Sequence, residues 1–97
     1  MKSKNYIVID GFNVTNVWEW GQILSSNYSI FQNNNFVTAT DSGTRGSLRF
    51  INSNYNKILN NIFFDGNDNL FFENSNNNLI INNILVRGRH SLLSLAC

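Results

Sequence analysis

The apolar positions of this chain recur with a regular period of about 22 residues. The matching segments are 47–50, 69–72 and 91–94, followed by 53–61 and 75–83. In this alignment Leu48, Leu70 and Leu92 occupy one column, and Ile58 and Ile80 occupy another. A repeat of about 20 to 50 residues is typical of stacked architectures in which each unit packs on its neighbours. The pattern therefore predicts a solenoid.

The first half of the chain joins the same series after one insertion. Segment 26–29 matches segment 53–56, and the interval between them is five longer than the regular period. The five additional residues fall between Val37 and Gly46, in a polar segment that contains glycine, and insertions in repeat proteins map to loops. Asn5 extends the series backwards by one more period. The sequence thus predicts units of 22, 27 and 22 residues and an incomplete last one, which makes about four coils.

Each unit contains three short apolar clusters, separated by corners rich in Asn or Gly. In two consecutive units the clusters are Leu48/Phe50, Ile58/Leu59 and Ile62/Phe63/Phe64, then Leu70/Phe72, Leu79/Ile80/Ile81 and Ile84/Leu85/Val86. Near the N-terminus, segment 5–16 predicts two short strands hinged at Asp10-Gly11. Helix is disfavoured because Asn, which accounts for 20 of the 97 residues, competes for backbone hydrogen bonds. Three clusters per unit favour a three-sided coil of parallel strands, which is a single-stranded parallel β-helix.

A leucine-rich repeat also accepts this period and is the alternative fold. In that fold an Asn follows the second apolar residue of a Leu-x-Leu pair by three positions. Here Leu79 and Ile81 are followed by Asn83 after only two positions. No unit contains a helix-forming return, so the β-helix is the preferred interpretation.

Two segments resemble a known coil signature. Segments 58–63 and 80–85 are similar to the Ile-x-x-Asn-x-Phe pattern of right-handed parallel β-helix proteins, the pectate-lyase-like superfold, and segment 7–12 is similar to an Ile-Asp-Gly-Phe start found in the same group. The resemblance implies a right-handed coil and an extracellular or cell-surface location. It is specific for fold and not for function, because this fold hosts lyases, hydrolases, epimerases, phage tail proteins and binding modules.

Stacking of coils places residues one period apart directly above one another, since neighbouring strands are about 4.8 Å apart. We therefore expect Asn34, Asn61 and Asn83 to form a ladder of amides at one corner. Each amide would hydrogen-bond to the coil above or below it and satisfy backbone groups that the bend leaves unpaired. This predicted ladder is structural and is not a candidate catalytic site.

The same stacking gathers charge at one corner. Asp65 is predicted to lie over Arg87, and Asp68 over His90, with Gly66 over Gly88 and the inserted loop with Asp41 and Arg45 just ahead of the same corner.

This edge predicts a site for a polyanion or a sugar. Arg87 and Arg89 would hold carboxylates, and His90 with Asp68 would act as an acid/base pair. The alternative is that opposite charges only stabilise a tight corner, with about 0 to 1 kcal/mol for each exposed pair.

Trp18 and Trp20 form the second candidate site. If the segment is extended, their spacing places both rings on one face, where they could stack on sugars. Alternatively, the two rings cover the open end of the repeat stack, which otherwise exposes its core and its unpaired strand edges.

Composition excludes several classes of function. A net charge of +1 gives no clustered basic face for nucleic acid. The single Cys97 excludes an internal disulfide and a multi-cysteine zinc site, and Asp65 with Asp68 are too few for the acidic calcium cluster of the family's lyases. We therefore expect no metal and no cofactor. No apolar stretch reaches the length of a signal-peptide core or a membrane span, so we expect no membrane partner.

Three hypotheses for function follow. The first is a β-helix module, residues 1–97, that binds carbohydrate or serves as a scaffold within a longer solenoid. The second is a fragment of a polysaccharide lyase or glycoside hydrolase that uses the edge with Arg87, Arg89 and His90. The third is a structural β-helix of a phage tail or adhesin. We also expect self-association through coil ends that have no cap.

Overall fold

The computed structural model describes residues 1–15, 17, 19–37, 47–87 and 90–95, which form twelve β-strands without any helix. The strands are β1 (Val8–Asp10), β2 (Asn13–Thr15), β3 (Gly21–Leu24), β4 (Ile30–Gln32), β5 (Asn35–Val37), β6 (Ser47–Ile51), β7 (Lys57–Leu59), β8 (Ile62–Phe64), β9 (Asp68–Glu73), β10 (Leu79–Ile81), β11 (Ile84–Val86) and β12 (His90–Leu95). The two strands predicted in segment 5–16 are β1 and β2. Among the described residues, no helix is long and apolar enough to span a membrane.

The strands form three parallel sheets that the chain visits in turn. Sheet I has the order β1-β4-β7-β10, sheet II has β2-β5-β8-β11, and sheet III has β3-β6-β9-β12. Every pairing between these strands is parallel and joins a strand to the one three places later in the chain. This three-sided stack fits a parallel β-helix, and the helical return of a leucine-rich repeat does not occur in the described ranges.

The strand register confirms the predicted columns. Leu70 pairs with Leu48 on one side and with Leu92 on the other, and Ile80 pairs with Ile58. Phe64 pairs with Val37 in the coil before it and with Val86 in the coil after it, and the first of these two steps is longer by five. The five additional residues lie between β5 and β6, as predicted. Residues 38–46, including Asp41 and Arg45, lie outside the described part of the chain, as does Cys97.

The core fills the space between the three sheets. Side chains alternate in direction along a strand, so in three-residue strands such as β5 and β8 the middle side chain points inward and is buried. Phe50, Phe63, Ile58 and Leu70 are fully buried. The ring of Phe50 stacks on Phe72 with centroids 4.9 Å apart. The core is therefore a set of vertical columns, in which each apolar side chain rests on its counterpart one coil away.

The corners between sheets use left-handed backbone conformations. Thirteen non-glycine residues in the described ranges have positive φ, and six of them are Asn. Asn tolerates this region better than most residues because its short amide can hydrogen-bond locally. The first reason for the high Asn content is therefore that the corners require positive φ.

The second cause is hydrogen bonding by buried amides. Asn61 Oδ1 accepts hydrogen bonds from the backbone N–H and from Nδ2 of Asn34, each at 3.0 Å. Asn61 Nδ2 donates to Phe31 O at 2.8 Å and to Asn83 Oδ1 at 3.0 Å. The three amides that we expected at one corner are thus linked by hydrogen bonds, and they satisfy backbone groups that the bend leaves without a strand partner.

Candidate functional site

The predicted charged edge lies at the corner between sheets II and III. Asp65 follows β8 and Arg87 follows β11, and both have positive φ, 58° and 50°. Arg87 Nη2 donates to Asp65 Oδ2 at 2.9 Å, and the guanidinium carbon lies 4.6 Å from the centroid of the Phe64 ring. These two contacts fix the position of the guanidinium, although the Arg87 side chain is 66% exposed.

The second pair of the charged edge joins β9 and β12. His90 stands opposite Asp68 in the parallel register, and His90 Nδ1 lies 2.6 Å from Asp68 Oδ1. The Asp68 carboxylate is 16% exposed and the imidazole 47% exposed. The carboxylate therefore orients the ring and occupies Nδ1, which leaves Nε2 as the nitrogen that can exchange a proton with a ligand.

The described part of this edge pairs each basic side chain with a carboxylate. Arg87 is paired with Asp65, and His90 with Asp68. Arg89 and Gly88 lie outside the described residues. No group of three or more potential metal-ligating side chains occurs in the ranges that the structure describes. The geometry thus supplies an oriented imidazole and a positioned guanidinium, which are two of the groups that the sequence assigned to this edge.

Of the two tryptophans predicted to form a second site, only Trp20 belongs to the described residues. Trp18 lies outside the described residues. Trp20 is buried, at 7% exposure, with its ring centroid 5.7 Å from that of Phe36 and 6.0 Å from that of Phe63. Its ring therefore belongs to the core at the β1–β3 end of the stack, and it offers no free face on which a sugar could stack.

Sequence reasoning missed a column of exposed tyrosines at the corner between sheets III and I. Tyr6, Tyr28 and Tyr55, here named the tyrosine column, are 76%, 50% and 50% exposed. Their rings stack in order, with centroids 5.4 Å and 5.2 Å apart and planes inclined by 10° and 7°. The spacing of the three tyrosines follows the repeat and its single insertion, so the column could have been seen in the sequence. The alignment of segments 26–29 and 53–56 used Tyr28 and Tyr55 only to match the units.

The tyrosine column has an unfavourable backbone conformation. Its three residues have φ of 59°, 57° and 58°. The equivalent position in the last unit is Asn77, with φ of 59°. A bulky side chain in this region costs about 1–3 kcal/mol, and each stacked aromatic pair returns about 0.5–1.5 kcal/mol. Backbone preference alone would place Asn at all four positions, so the tyrosines are there for a property of their side chains.

No protein-family model matches this chain, and neither curated proteins nor solved structures yield a match. The all-β stacked architecture therefore rests on the strand order and register described above.

A shallow groove of about 200 Å³ runs beside the tyrosine column. It is lined by the three tyrosines together with Ser29, Ile30 and Lys57. Because the rings face one another along the stack, their edges and hydroxyl groups line the surface. Tyr6, at the start of the column, turns one ring face away from Tyr28. The groove thus combines apolar ring edges, hydroxyl groups that both donate and accept, and one ammonium group.

Proposed function

We propose that this chain is a right-handed parallel β-helix module of four coils that binds an extended polysaccharide along the tyrosine column. Right-handedness is supported by the strong preference of strand–crossover–parallel-strand connections for that hand, and by the coil signature in segments 58–63 and 80–85. The number of four coils is supported by the presence of four strands in each sheet.

The tyrosine column is the observation that carries this proposal. It is a row of exposed aromatic side chains, kept in a backbone conformation that disfavours them, at an interval of 5.2 to 5.4 Å. An extended chain of pyranose rings repeats on a comparable length scale. Such a chain can place its hydroxyl groups within reach of the phenol oxygens and one sugar ring against the outward face of Tyr6.

Substitution of Tyr28 by Asn tests the site directly. Tyr28 is the central ring, so its loss separates Tyr6 from Tyr55 and should weaken polysaccharide binding at least tenfold. The free energy of unfolding should change by less than about 1 kcal/mol, because Asn adopts positive φ readily and already does so at Asn77. Binding is measured by affinity gel electrophoresis and titration calorimetry against polygalacturonate as an acidic probe and xyloglucan as a neutral one.

Arg87→Asn is the matched control for this experiment. Arg87 is also exposed and also has positive φ, but it lies at a different corner. It should leave binding at the tyrosine column unchanged. Equal affinities of wild type and Tyr28→Asn for a bound polysaccharide, or failure of the wild type to bind either probe, would refute the proposed site.

A second candidate function is polysaccharide cleavage at the charged edge, which the 2.6 Å contact between His90 and Asp68 favours. His90 would transfer a proton through Nε2, and Arg87 would face a sugar carboxylate. With polygalacturonate, a lyase releases an unsaturated product that absorbs in the near ultraviolet, whereas a hydrolase releases reducing ends without that absorbance.

His90→Gln tests this second function. We expect it to lower the rate of product formation at least a hundredfold, because glutamine cannot exchange a proton at the position of Nε2. Tyr28→Asn should leave the turnover number unchanged and raise the substrate concentration needed for half-maximal rate. If the wild-type chain forms neither product, cleavage by this chain is ruled out.

A further inference from the structure

An Asn-Tyr dipeptide repeats at the corner that carries the tyrosine column. Each of the three tyrosines directly follows an asparagine, and Asn5, Asn27 and Asn54 are here named the asparagine row. The chain crosses this corner on its way from sheet III to sheet I, so the row runs parallel to the tyrosine column on its sheet III side. A ligand that follows the column therefore also passes the row.

The amide oxygens of the asparagine row are occupied by hydrogen bonds between coils. Asn5 Oδ1 accepts from the backbone N–H of Asn27 at 2.8 Å, and Asn27 Oδ1 accepts from that of Asn54 at 2.7 Å. Asn54 Oδ1 accepts from the backbone N–H of Asn76 at 2.6 Å. Because a backbone N–H can only donate, these contacts identify the oxygen of each amide. The carboxamides are thus fixed, and Nδ2 is the atom that each leaves for a ligand.

The Nδ2 groups of the asparagine row are accessible donors. None of them donates a hydrogen bond to another described residue, whereas Asn61 Nδ2, at the corner between sheets I and II, donates to Phe31 O at 2.8 Å. In the described part of the chain, the buried side-chain polar atoms without a partner belong to Trp20 and Asn67, so the Nδ2 groups of the row are in contact with solvent. The row thus presents one amide donor per coil, at an interval of about 4.8 Å.

Lys57 adds a positive charge on the other side of the tyrosine column. It is exposed, and it lines the groove beside the three tyrosines. The ion pairs that the described residues form use Arg49, Arg87 and His90 as their basic partners, so Lys57 has no carboxylate partner among these residues. No carboxylate belongs to the described lining of the groove. The ammonium charge at this corner is therefore not neutralised within the described structure.

The polar groups on both sides of the tyrosine column share one property, which is that they donate. Amide Nδ2 and ammonium groups are donors only, and a phenol can donate as well as accept. Carboxylate oxygens are acceptors only, and hydrogen bonds to a charged acceptor are about twice as strong as neutral ones. A neutral hydroxyl also carries a donor, for which this corner offers mainly the phenol oxygens. The chemistry of the corner therefore favours a ligand with repeated anionic groups.

We propose that the corner between sheets III and I selects a polysaccharide with a repeated anionic group, carboxylate or sulfate, and that the asparagine row and Lys57 bind these groups. This inference rests on the proposed function, because it concerns the same site. The tyrosine column provides the surface along which the sugar chain lies. The donors on its two sides provide the selectivity for charge.

Titration calorimetry of the wild-type chain with three polymers measures this selectivity. Polygalacturonate carries carboxylates, dextran sulfate carries sulfates, and xyloglucan is neutral. We expect at least one of the two acidic polymers to bind at least tenfold more tightly than xyloglucan, and the tighter of the two identifies the anionic group. Binding of xyloglucan as tight as that of both acidic polymers would overturn the inference, while the proposed function would stand if Tyr28→Asn still weakened that binding.

Asn54→Asp tests the asparagine row. The carboxylate keeps an acceptor for the backbone N–H of Asn76 and replaces Nδ2 by an oxygen, so the contact between coils is retained and the donor is lost. Affinity for the preferred acidic polymer should fall at least tenfold. Asn60→Asp is the matched control, because Asn60 is exposed in the same unit but lies at the corner between sheets I and II. It adds the same charge and should change affinity less than twofold, and equal losses for the two variants would overturn the inference.

Nuclear magnetic resonance of the wild-type chain provides a measurement that needs no variant. Addition of oligogalacturonate or of sulfated dextran oligomers should shift the side-chain amide signals of the asparagine row, while those of Asn60 and Asn82 should stay in place. Unchanged signals of the row at saturation would overturn the inference. If Tyr28→Asn binds the acidic polymer as tightly as the wild type while Asn54→Asp does not, the anion site stands and the proposed role of the tyrosine column fails.

Discussion

Replacement of Asn61 by alanine is expected to lower the free energy of unfolding by about 3–5 kcal/mol. Asn61 is 1% exposed, and its amide satisfies the backbone N–H of Asn34 and the carbonyl oxygen of Phe31. It also joins the amides of Asn34 and Asn83. Alanine removes all four hydrogen bonds and leaves buried polar groups without a partner. Each such group costs about 1–3 kcal/mol, so the loss exceeds that of an ordinary polar substitution.

Equilibrium unfolding in urea, followed by circular dichroism, measures this loss. Asn35→Ala is the matched control, because Asn35 is exposed and its side chain donates one hydrogen bond within the described residues, to Asn13 Oδ1 at 2.8 Å. It should change stability by about 0.5 kcal/mol or less. Similar losses for the two variants would mean that the buried amides do not hold the coils together.

Phe50→Ala should lower the free energy of unfolding by a similar amount, about 3–5 kcal/mol. The Phe50 side chain is fully buried. It stacks on Phe72 at 4.9 Å and meets Phe31 edge-on at 5.2 Å. Removal of the ring opens a cavity that rigid sheets on three sides cannot close, so both the transfer energy and the packing of the two neighbouring rings are lost.

Urea unfolding also measures the stability of Phe50→Ala, and two further variants are compared with it. Phe12→Ala, at a ring 57% exposed, should cost much less than Phe50→Ala. Phe50→Leu should fall between them, since it keeps an apolar side chain at the position. A small loss for Phe50→Ala, equal to that for Phe12→Ala, would show that the core tolerates removal of an entire ring and is not packed as columns.

Sequence spacing predicted the vertical neighbours because a parallel stack converts a constant period into contact. The pairings of Leu70 with Leu48 and Leu92, and the hydrogen bonds of Asn61 to its counterparts, follow from this rule alone. The pairs Asp65–Arg87 and Asp68–His90 follow from it as well. No property beyond the period and the residue type was needed for these contacts.

Properties that depend on the direction of a side chain were harder to predict. Trp20 and Tyr28 are both large aromatic residues beside polar neighbours, yet Trp20 is buried and Tyr28 is half exposed. The difference arises because Trp20 directly precedes β3, whereas Tyr28 occupies a corner with positive φ. Hydrophobic periodicity carries no information on φ, so the tyrosine column could be recognised as a repeat but not as a surface.

The connection between β5 and β6 is five residues longer than the repeat requires, yet the strands on either side of it remain paired. Five additional residues lie in this connection. On its N-terminal side Val37 still pairs with Phe64, and on its C-terminal side Leu48 still pairs with Gly21 and Leu70. The register shifts once at the start of β6, between Ser47 and Leu48, and is regular from Leu48 onward, so the scaffold accommodates the added length close to this corner. This corner is accordingly the place where a peptide tag, a fluorophore or a new recognition loop can be grafted with the least disturbance to folding.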